Sequence, residues 1–224
     1  MPMAVRPGLT QFGWSDIGAR DMMDLNGVTA LVTGAGSGMG AATAKALADR
    51  GARVAVVDLN LESAQQTADS IKGLALAADV SSSESVEAAL QQVVDELGAP
   101  RVVVSCAGIA AASRIVGREG PHELDLYQRV INVNLVGTFN VLRLTAERMS
   151  LLEPVSKSGA RGVIVNTASV AAYDGQIGQA AYSSSKGGVV ALTLPAAREL
   201  ARFGIRVMTV APGLIATPML LDMP

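Results

Sequence analysis

Short apolar runs recur along the chain, separated by stretches with helical periodicity. The runs are Val28 to Thr33, Arg53 to Val57, Leu74 to Ala78, Arg101 to Val104, Gly162 to Val165 and Ile205 to Val210. Each is short, rich in Val, Ile and Ala, and bounded by Gly, Pro, Asp or Ser, which predicts a strand buried on both faces. Between them, Gly40 to Arg50, Leu61 to Lys72, a segment capped by Ser81 or Ser82, Leu126 to Met149 and Tyr182 to Phe203 read as helices. Asn132-Val133-Asn134 interrupts the fourth, and Pro195 should kink the fifth. Leu151 to Ala160 is a loop. Strands alternating with helices predict an α/β fold with a doubly wound parallel sheet, a single domain whose ligand lies at the strands' C-terminal ends.

Composition narrows the class. The chain has 224 residues, enough for one core. Half are hydrophobic, with only three Phe, three Tyr and one Trp, so the core must be aliphatic. Net charge is −2 and no basic run exists, which gives no electrostatic support for nucleic acid or an anionic membrane as partner. No apolar stretch would span a bilayer. The lone Cys106 excludes an internal disulfide and leaves the redox compartment open, with a lean toward a reducing one. Residues 1–25 lack the apolar core of a signal peptide and carry acids unlike a transit peptide, so they read as an N-terminal extension to a domain over 26–224, in the cytoplasm. His122, the only His, sits in a polar turn; with no second His it is read as a surface residue and no metal site is expected.

The first strand leads into Gly34-Ala35-Gly36-Ser37-Gly38-Met39-Gly40 and then a helix. Glycines there let the backbone approach a pyrophosphate, and the N–H groups of Ser37 to Gly40 at the helix start point at it. The P-loop pattern is absent. Asp58 ends the second strand 18 residues beyond Gly40, where a carboxylate would grip the adenosine ribose hydroxyls and repel a 2′-phosphate, so NAD is expected over NADP. Asp79-Val80 ends the third strand and suits an adenine ring. Ser105-Cys106-Ala107-Gly108 ends the fourth; small residues let the backbone lie along the cofactor, with Cys106 a packing residue near the adenine ribose and no basic partner in view. After the last strand, Pro212-Gly213 leads to Ile215 and Thr217, placed for the nicotinamide.

Ser169, Tyr182 and Lys186 carry the candidate chemistry. Tyr182 and Lys186 are four apart, one turn of a helix. An ammonium beside a phenol favours the phenolate, a usable acid/base. A Ser169 hydroxyl at a strand end could hold a substrate oxygen beside it. The chemistry this suits is proton transfer to or from an alcohol coupled to hydride transfer. Ser183-Ser184-Ser185-Lys186 also fits S-x-x-K, but the S-D-N and K-T-G partners of that motif are missing. Asn134, among apolar residues, reads either as holder of a water passing protons to Lys186 or as a plain polar core residue.

With these residues in place, the chain resembles the short-chain dehydrogenase/reductase family, whose fold is a Rossmann sheet. The resemblance rests on Thr33-Gly34-x-x-x-Gly38-x-Gly40, Asp58, Asp79-Val80, Asn134, Ser169, Tyr182-x-x-x-Lys186 and Pro212-Gly213, with Ser169 preceding Tyr182 by 13 residues. It implies Tyr182 as acid/base, Ser169 orienting the substrate oxygen, Lys186 on the nicotinamide ribose, and Asn134 organising the relay water. Within the family the chain resembles the type-2 3-hydroxyacyl-CoA dehydrogenases, with Cys106 in place of the second Asn of the common Asn-Asn-Ala-Gly, in agreement with that group. That group oxidises 3-hydroxyacyl-CoA thioesters with NAD, with some members acting on steroid alcohols, and forms homotetramers; Gln176 falls at a position it uses near substrate. The family continues past the point matching Pro224 into a seventh strand, so a shortened C-terminus and a sheet lacking its last strand are expected. The readings that follow are an NAD-dependent 3-hydroxyacyl-CoA dehydrogenase, a dehydrogenase of a steroid or other secondary alcohol, or an inactive NAD-binding scaffold.

Overall fold

The computed structural model describes residues 23–217. The expected N-terminal extension and the chain's end therefore lie almost wholly outside the described residues. Six parallel strands form one sheet: β1 (Thr29–Thr33), β2 (Arg53–Asp58), β3 (Leu74–Ala77), β4 (Val102–Ser105), β7 (Gly162–Thr167) and β8 (Ile205–Val210). A small hairpin, β5 (Val116–Gly117) and β6 (Gly120–Pro121), stands apart. The helices are α1 (Gly38–Ala48), α2 (Leu61–Ile71), α3 (Ser83–Leu97), α4 (Leu124–Ile131), α5 (Gly137–Ser150) and α6 (Ala180–Leu200). The order across the sheet is β3-β2-β1-β4-β7-β8, so the chain winds outward in one direction from β1 and in the other from β4. Such a reversal opens a crevice at the strands' C-terminal ends. The architecture is the doubly wound Rossmann type, six-stranded among the described residues.

Alternation along each strand sends successive side chains to opposite faces. Ala30, Val32, Val54, Val56, Val102 and Val104 pack beneath α1 and α2, against Ala44, Ala64 and Ala68. Leu31, Ala55, Val57, Val103, Ile164 and Val207 pack on the other face against α3, α5 and α6. The central strand β1 is buried at all five positions, which is why it reads as one unbroken apolar run.

The structure decides what the sequence left open and moves some boundaries, each for a physical reason. Ser82, and not Ser81, caps α3, its side chain accepting from the Ser85 N–H at 3.2 Å; Ser81 is consumed by Asp79, which it meets through both its N–H and its hydroxyl. The break at Asn132-Val133-Asn134 is a π-helical turn over Asn132–Val136 joining α4 to α5. As expected, the helix runs on through Pro195: α6 continues to Leu200, and Ala191 and Pro195, one turn apart, are both exposed, so the hydrogen bond that Pro195 cannot donate is lost on the solvent side. β7 runs past Val165 through Asn166 and Thr167, which are polar yet buried, because they continue the ladder to Ser105 and Thr209. His122 is half-buried rather than a free surface residue; its Nδ1 donates to the Glu123 carbonyl at 2.8 Å and its ring meets Tyr127 edge-on at 6.2 Å.

Candidate active site

The glycine loop lies directly on the strand ends. Gly34 has φ +63°, and a Cβ there would sit 2.6 Å from the Ala107 backbone. A Cβ on Gly40 would collide with the Gly34 carbonyl oxygen. The turn therefore tolerates no side chain at either position. Ser37 begins α1 but makes no side-chain cap. The first N–H groups of an 11-residue helix are thus left for an incoming group, with no acid in the first turn to compete. That donor set fits a pyrophosphate.

Asp58 sits at the end of β2, where its two oxygens accept the N–H of Gly36 at 2.9 Å and of Asn60 at 3.0 Å. The carboxylate is thereby fixed beside the loop. An open cleft of about 1240 Å³ runs over Gly34, Asp58, Asp79, Val80, Ala107 and Gly108. Val80 is held by the amide of Asn140, which donates to its carbonyl at 2.9 Å. Asp125 and Arg129 from α4 line the same cleft, and sequence patterning gave no hint of them because they arrive from a distant helix.

A second cleft continues over Met39, Ala110, Ser169, Gln176, Tyr182, Pro212, Gly213, Ile215 and Thr217. Ser169 follows β7 and starts a short 3-10 turn over Val170–Ala172; its Oγ accepts the Ala171 N–H at 3.2 Å, which leaves its own O–H to donate. Tyr182 lies in the first turn of α6. Lys186, one turn on, places Nζ 5.7 Å from the Tyr182 ring centroid and donates to the Thr167 carbonyl at 2.7 Å. Lys186 is only 5% exposed, and burial lowers its pKa to about 8, partly offset by Cys106.

Asn134 is fully buried in the π-helical turn. Its Nδ2 donates to the Ile109 carbonyl at 2.9 Å and to Ser185 Oγ at 3.0 Å, and its Oδ1 accepts the Ile109 N–H at 2.8 Å. The amide thus clamps the backbone beyond Gly108. A Cβ on Gly108 would lie 3.2 Å from Asn134 Oδ1 and 3.7 Å from Lys186 Nζ, so all three share one spot. Cys106 departs from expectation. It stands beside Thr167, whose hydroxyl donates to the sulfur at 3.6 Å, and close enough to Lys186 to feel its charge. Burial outweighs both and pushes the thiol pKa up, so the basic neighbour does not make a thiolate.

The clefts therefore bring together most of the residues singled out by the sequence. Ser37, Gly38, Gly40, Cys106, Asn134 and Lys186 do not line them. Gly40, Asn134 and Lys186 are buried behind the walls, and Ser37 is exposed at the start of α1. Among the described residues no group of His, Cys, Asp and Glu is arranged for a metal, and no helix is long and apolar enough to cross a membrane.

The family model described as short chain dehydrogenase matches residues 28–223. A Bos taurus protein named 3-hydroxyacyl-CoA dehydrogenase type-2 is 52% identical over 204 residues, covering 89% of this chain and 78% of that protein. A Rattus norvegicus protein named (3R)-3-hydroxyacyl-CoA dehydrogenase is 43% identical over 213 residues, covering 89% of this chain and 78% of its own length. The crystal structure of 3-hydroxyacyl-CoA dehydrogenase type-2 from Mycobacterium avium superposes with a TM-score of 0.82 at 40% identity, over 88% of this chain and 78% of that one. With the sheet, the crevice and a match over nearly its whole length, the chain belongs to the short-chain dehydrogenase family and is an oxidoreductase.

Proposed function

We propose that the chain is an NAD-dependent dehydrogenase of 3-hydroxyacyl-CoA thioesters, with Tyr182 as acid/base. One observation carries the chemistry: Tyr182 and Ser169 face one cleft while the buried Lys186 amine stands behind the phenol. The relatives' names support the substrate class, since both sets specify a 3-hydroxyacyl-CoA.

Family members typically use a nicotinamide cofactor, and the residues present fit one. The α1 N-terminus and Gly34 to Gly40 would hold the pyrophosphate, Asp58 the adenosine ribose, Asp79 and Val80 the adenine, and Pro212, Gly213, Ile215 and Thr217 the nicotinamide end. Bound there, the nicotinamide ring supplies the hydride acceptor. At an effective dielectric near 20, a unit charge 4 Å from the Asp58 carboxylate would be repelled by about 4 kcal/mol, which disfavours a 2′-phosphate and supports NAD.

The chain's own residues handle the proton. The Ser169 O–H donates to the substrate oxygen and fixes its place. The Tyr182 hydroxyl takes the proton from the alcohol, or returns it in the reverse direction. The Lys186 ammonium, held by the Thr167 carbonyl, provides positive charge beside the phenol and can reach a ribose hydroxyl. Asn134 acts as a positioning residue through Ile109 and Gly108. The homotetramer that the resemblance implies belongs to the same proposal.

NADH oxidation with acetoacetyl-CoA tests the reading. Tyr182→Phe should abolish turnover while leaving NADH binding nearly unchanged. Turnover retained by that variant removes Tyr182 from the mechanism. Rates on a steroid alcohol panel exceeding those on acetoacetyl-CoA would replace the substrate class, and NADH binding with no turnover of either would leave a binding scaffold.

A further inference from the structure

Val80 forms part of the cleft wall where the adenine is expected, and α5 fixes it from behind. Its side chain lies so close to Gly137 that a Cβ on that glycine would come within 2.6 Å of Val80 Cγ2. Its carbonyl accepts the Asn140 amide at 2.9 Å. The two residues are 60 apart in the chain, so no pattern in the sequence pairs them.

Asn140 is 5% exposed, and the two ends of its amide are nearly the same size. Shape alone does not decide which end faces Val80. Turned over, the amide would set its oxygen against the Val80 carbonyl oxygen, two acceptors with no proton between them. Arg143, one turn further along α5, decides the matter. Its Nε and Nη2 donate to Asn140 Oδ1 at 3.1 and 2.8 Å, and a guanidinium can only donate. The oxygen must therefore face Arg143, and the NH2 group must face Val80.

Arg143 is itself tied across to α3. Its Nη2 also donates to Ser83 Oγ at 2.6 Å, Ser83 donates to Glu87 Oε1 at 2.8 Å, and Glu87 stands 3.9 Å from the guanidinium. Arg143 and Glu87 are both exposed, and an exposed ion pair contributes little to stability. A two-pronged grip on a buried amide is the better account of this arginine.

We propose that Arg143 is a positioning residue for the dinucleotide: it locks the Asn140 amide so that Val80 holds the adenine wall in place. The inference rests on the nicotinamide-cofactor reading above and adds to it a residue that does not line the cleft. Its effect falls on the adenosine half of the cofactor. The nicotinamide half is spared, because Pro212, Gly213, Ile215 and Thr217 line the other cleft.

The test compares the full chain with two variants. Arg143→Met keeps the length and removes the donors; Arg143→Lys keeps the charge and loses the fork. Arg148→Met is the control, since Arg148 also reaches from α5 to α3, donating to Gln91 at 3.3 Å, but bonds neither Asn140 nor Val80. Kd is measured by calorimetry for NADH and ADP-ribose, and by NMR titration for reduced nicotinamide mononucleotide, which lacks the adenosine. One net hydrogen bond sets the scale, so Arg143→Met should raise the Kd of NADH and of ADP-ribose about threefold to tenfold and leave the mononucleotide unchanged. KM for NADH should rise by the same factor with kcat at saturation unaltered, and Arg143→Lys should fall between parent and Met. At about 0.5 M salt, where exposed charges are largely screened, the loss should persist. An unchanged NADH Kd, a loss shared equally by the mononucleotide or by Arg148→Met, or a loss that salt removes overturns the proposal. A parent that binds neither NADH nor ADP-ribose overturns the cofactor reading and this proposal with it. A parent that binds both, beside an Arg143→Met variant that binds them equally well, overturns this proposal alone.

Discussion

Replacing Asn134 by Leu keeps the side chain's size and removes all three of its hydrogen bonds. Ser185 loses little, because its hydroxyl still donates to the Tyr182 carbonyl at 2.7 Å. The N–H and carbonyl of Ile109 are the groups left unpaired. An unsatisfied buried group costs about 1–3 kcal/mol, and Ile109 is only partly buried, so the two together should cost about 2–4 kcal/mol. That is a large share of the roughly 5–15 kcal/mol available to a domain of this kind. Urea unfolding should show a midpoint lowered by roughly 1–2 M at an unchanged slope. Thr138→Val is the control: it removes one bond to the Asn134 carbonyl, 2.7 Å long, and should cost about 1 kcal/mol. Hydrogen exchange gives a local readout, since the Ile109 amide should lose protection in the Asn134 variant and keep it in the control. A midpoint shift below that of Thr138→Val, or an Ile109 amide as protected as before, refutes the view that the Asn134 amide clamps this backbone. Stability retained with turnover lost would point instead to a direct part in proton transfer.

Other perturbations probe the rest of the site. Lys186 has a folded pKa of about 8 against 10.5 unperturbed, so the unfolded chain holds the extra proton between those values. Stability relative to Lys186→Met should therefore rise with pH across that window, by about 3 kcal/mol in all, with Cys106 common to both proteins; a flat or falling difference in urea midpoints contradicts the burial described. Asp58→Ser should raise the NADPH-to-NADH ratio of kcat/KM at least tenfold, the half-exposed carboxylate delivering only part of its unscreened repulsion; an unchanged ratio removes Asp58 from cofactor choice. Gly40→Ala should cost about 1–3 kcal/mol by thermal unfolding and weaken NADH binding by calorimetry, because the new Cβ pushes against the Gly34 carbonyl; a neutral result would mean the loop yields freely.

Much of the fold was legible because β1, β2 and β4 are buried on both faces and appear in the sequence as bare apolar runs. The glycine loop and Asp58 were legible for a related reason: a strand, a turn without side chains and a helix follow one another within a short stretch. What escaped was long-range. Asn166 and Thr167 look like loop residues, yet neighbouring strands bury them. The β5–β6 hairpin has only two residues per strand, too few for any alternation to show. Cys106 meets Lys186 only because β4 and β7 pair and α6 folds back across them, a juxtaposition that no spacing in the chain records.

Lys186 is the residue whose placement is hardest to explain by stability. Its amine is nearly closed off from water, and among the described residues its one hydrogen-bond acceptor is a neutral carbonyl, with no carboxylate in ion-pair range. Burying a charge so weakly compensated costs free energy that Met or Leu at the same position would not. The lowered pKa is that same cost expressed as proton affinity. A cost of this kind, set one helical turn from a phenol that opens into a cleft, is what a site needing local positive charge would carry. Core packing alone would have filled the position with an apolar side chain, as it does at Val189 three residues further along the same helix.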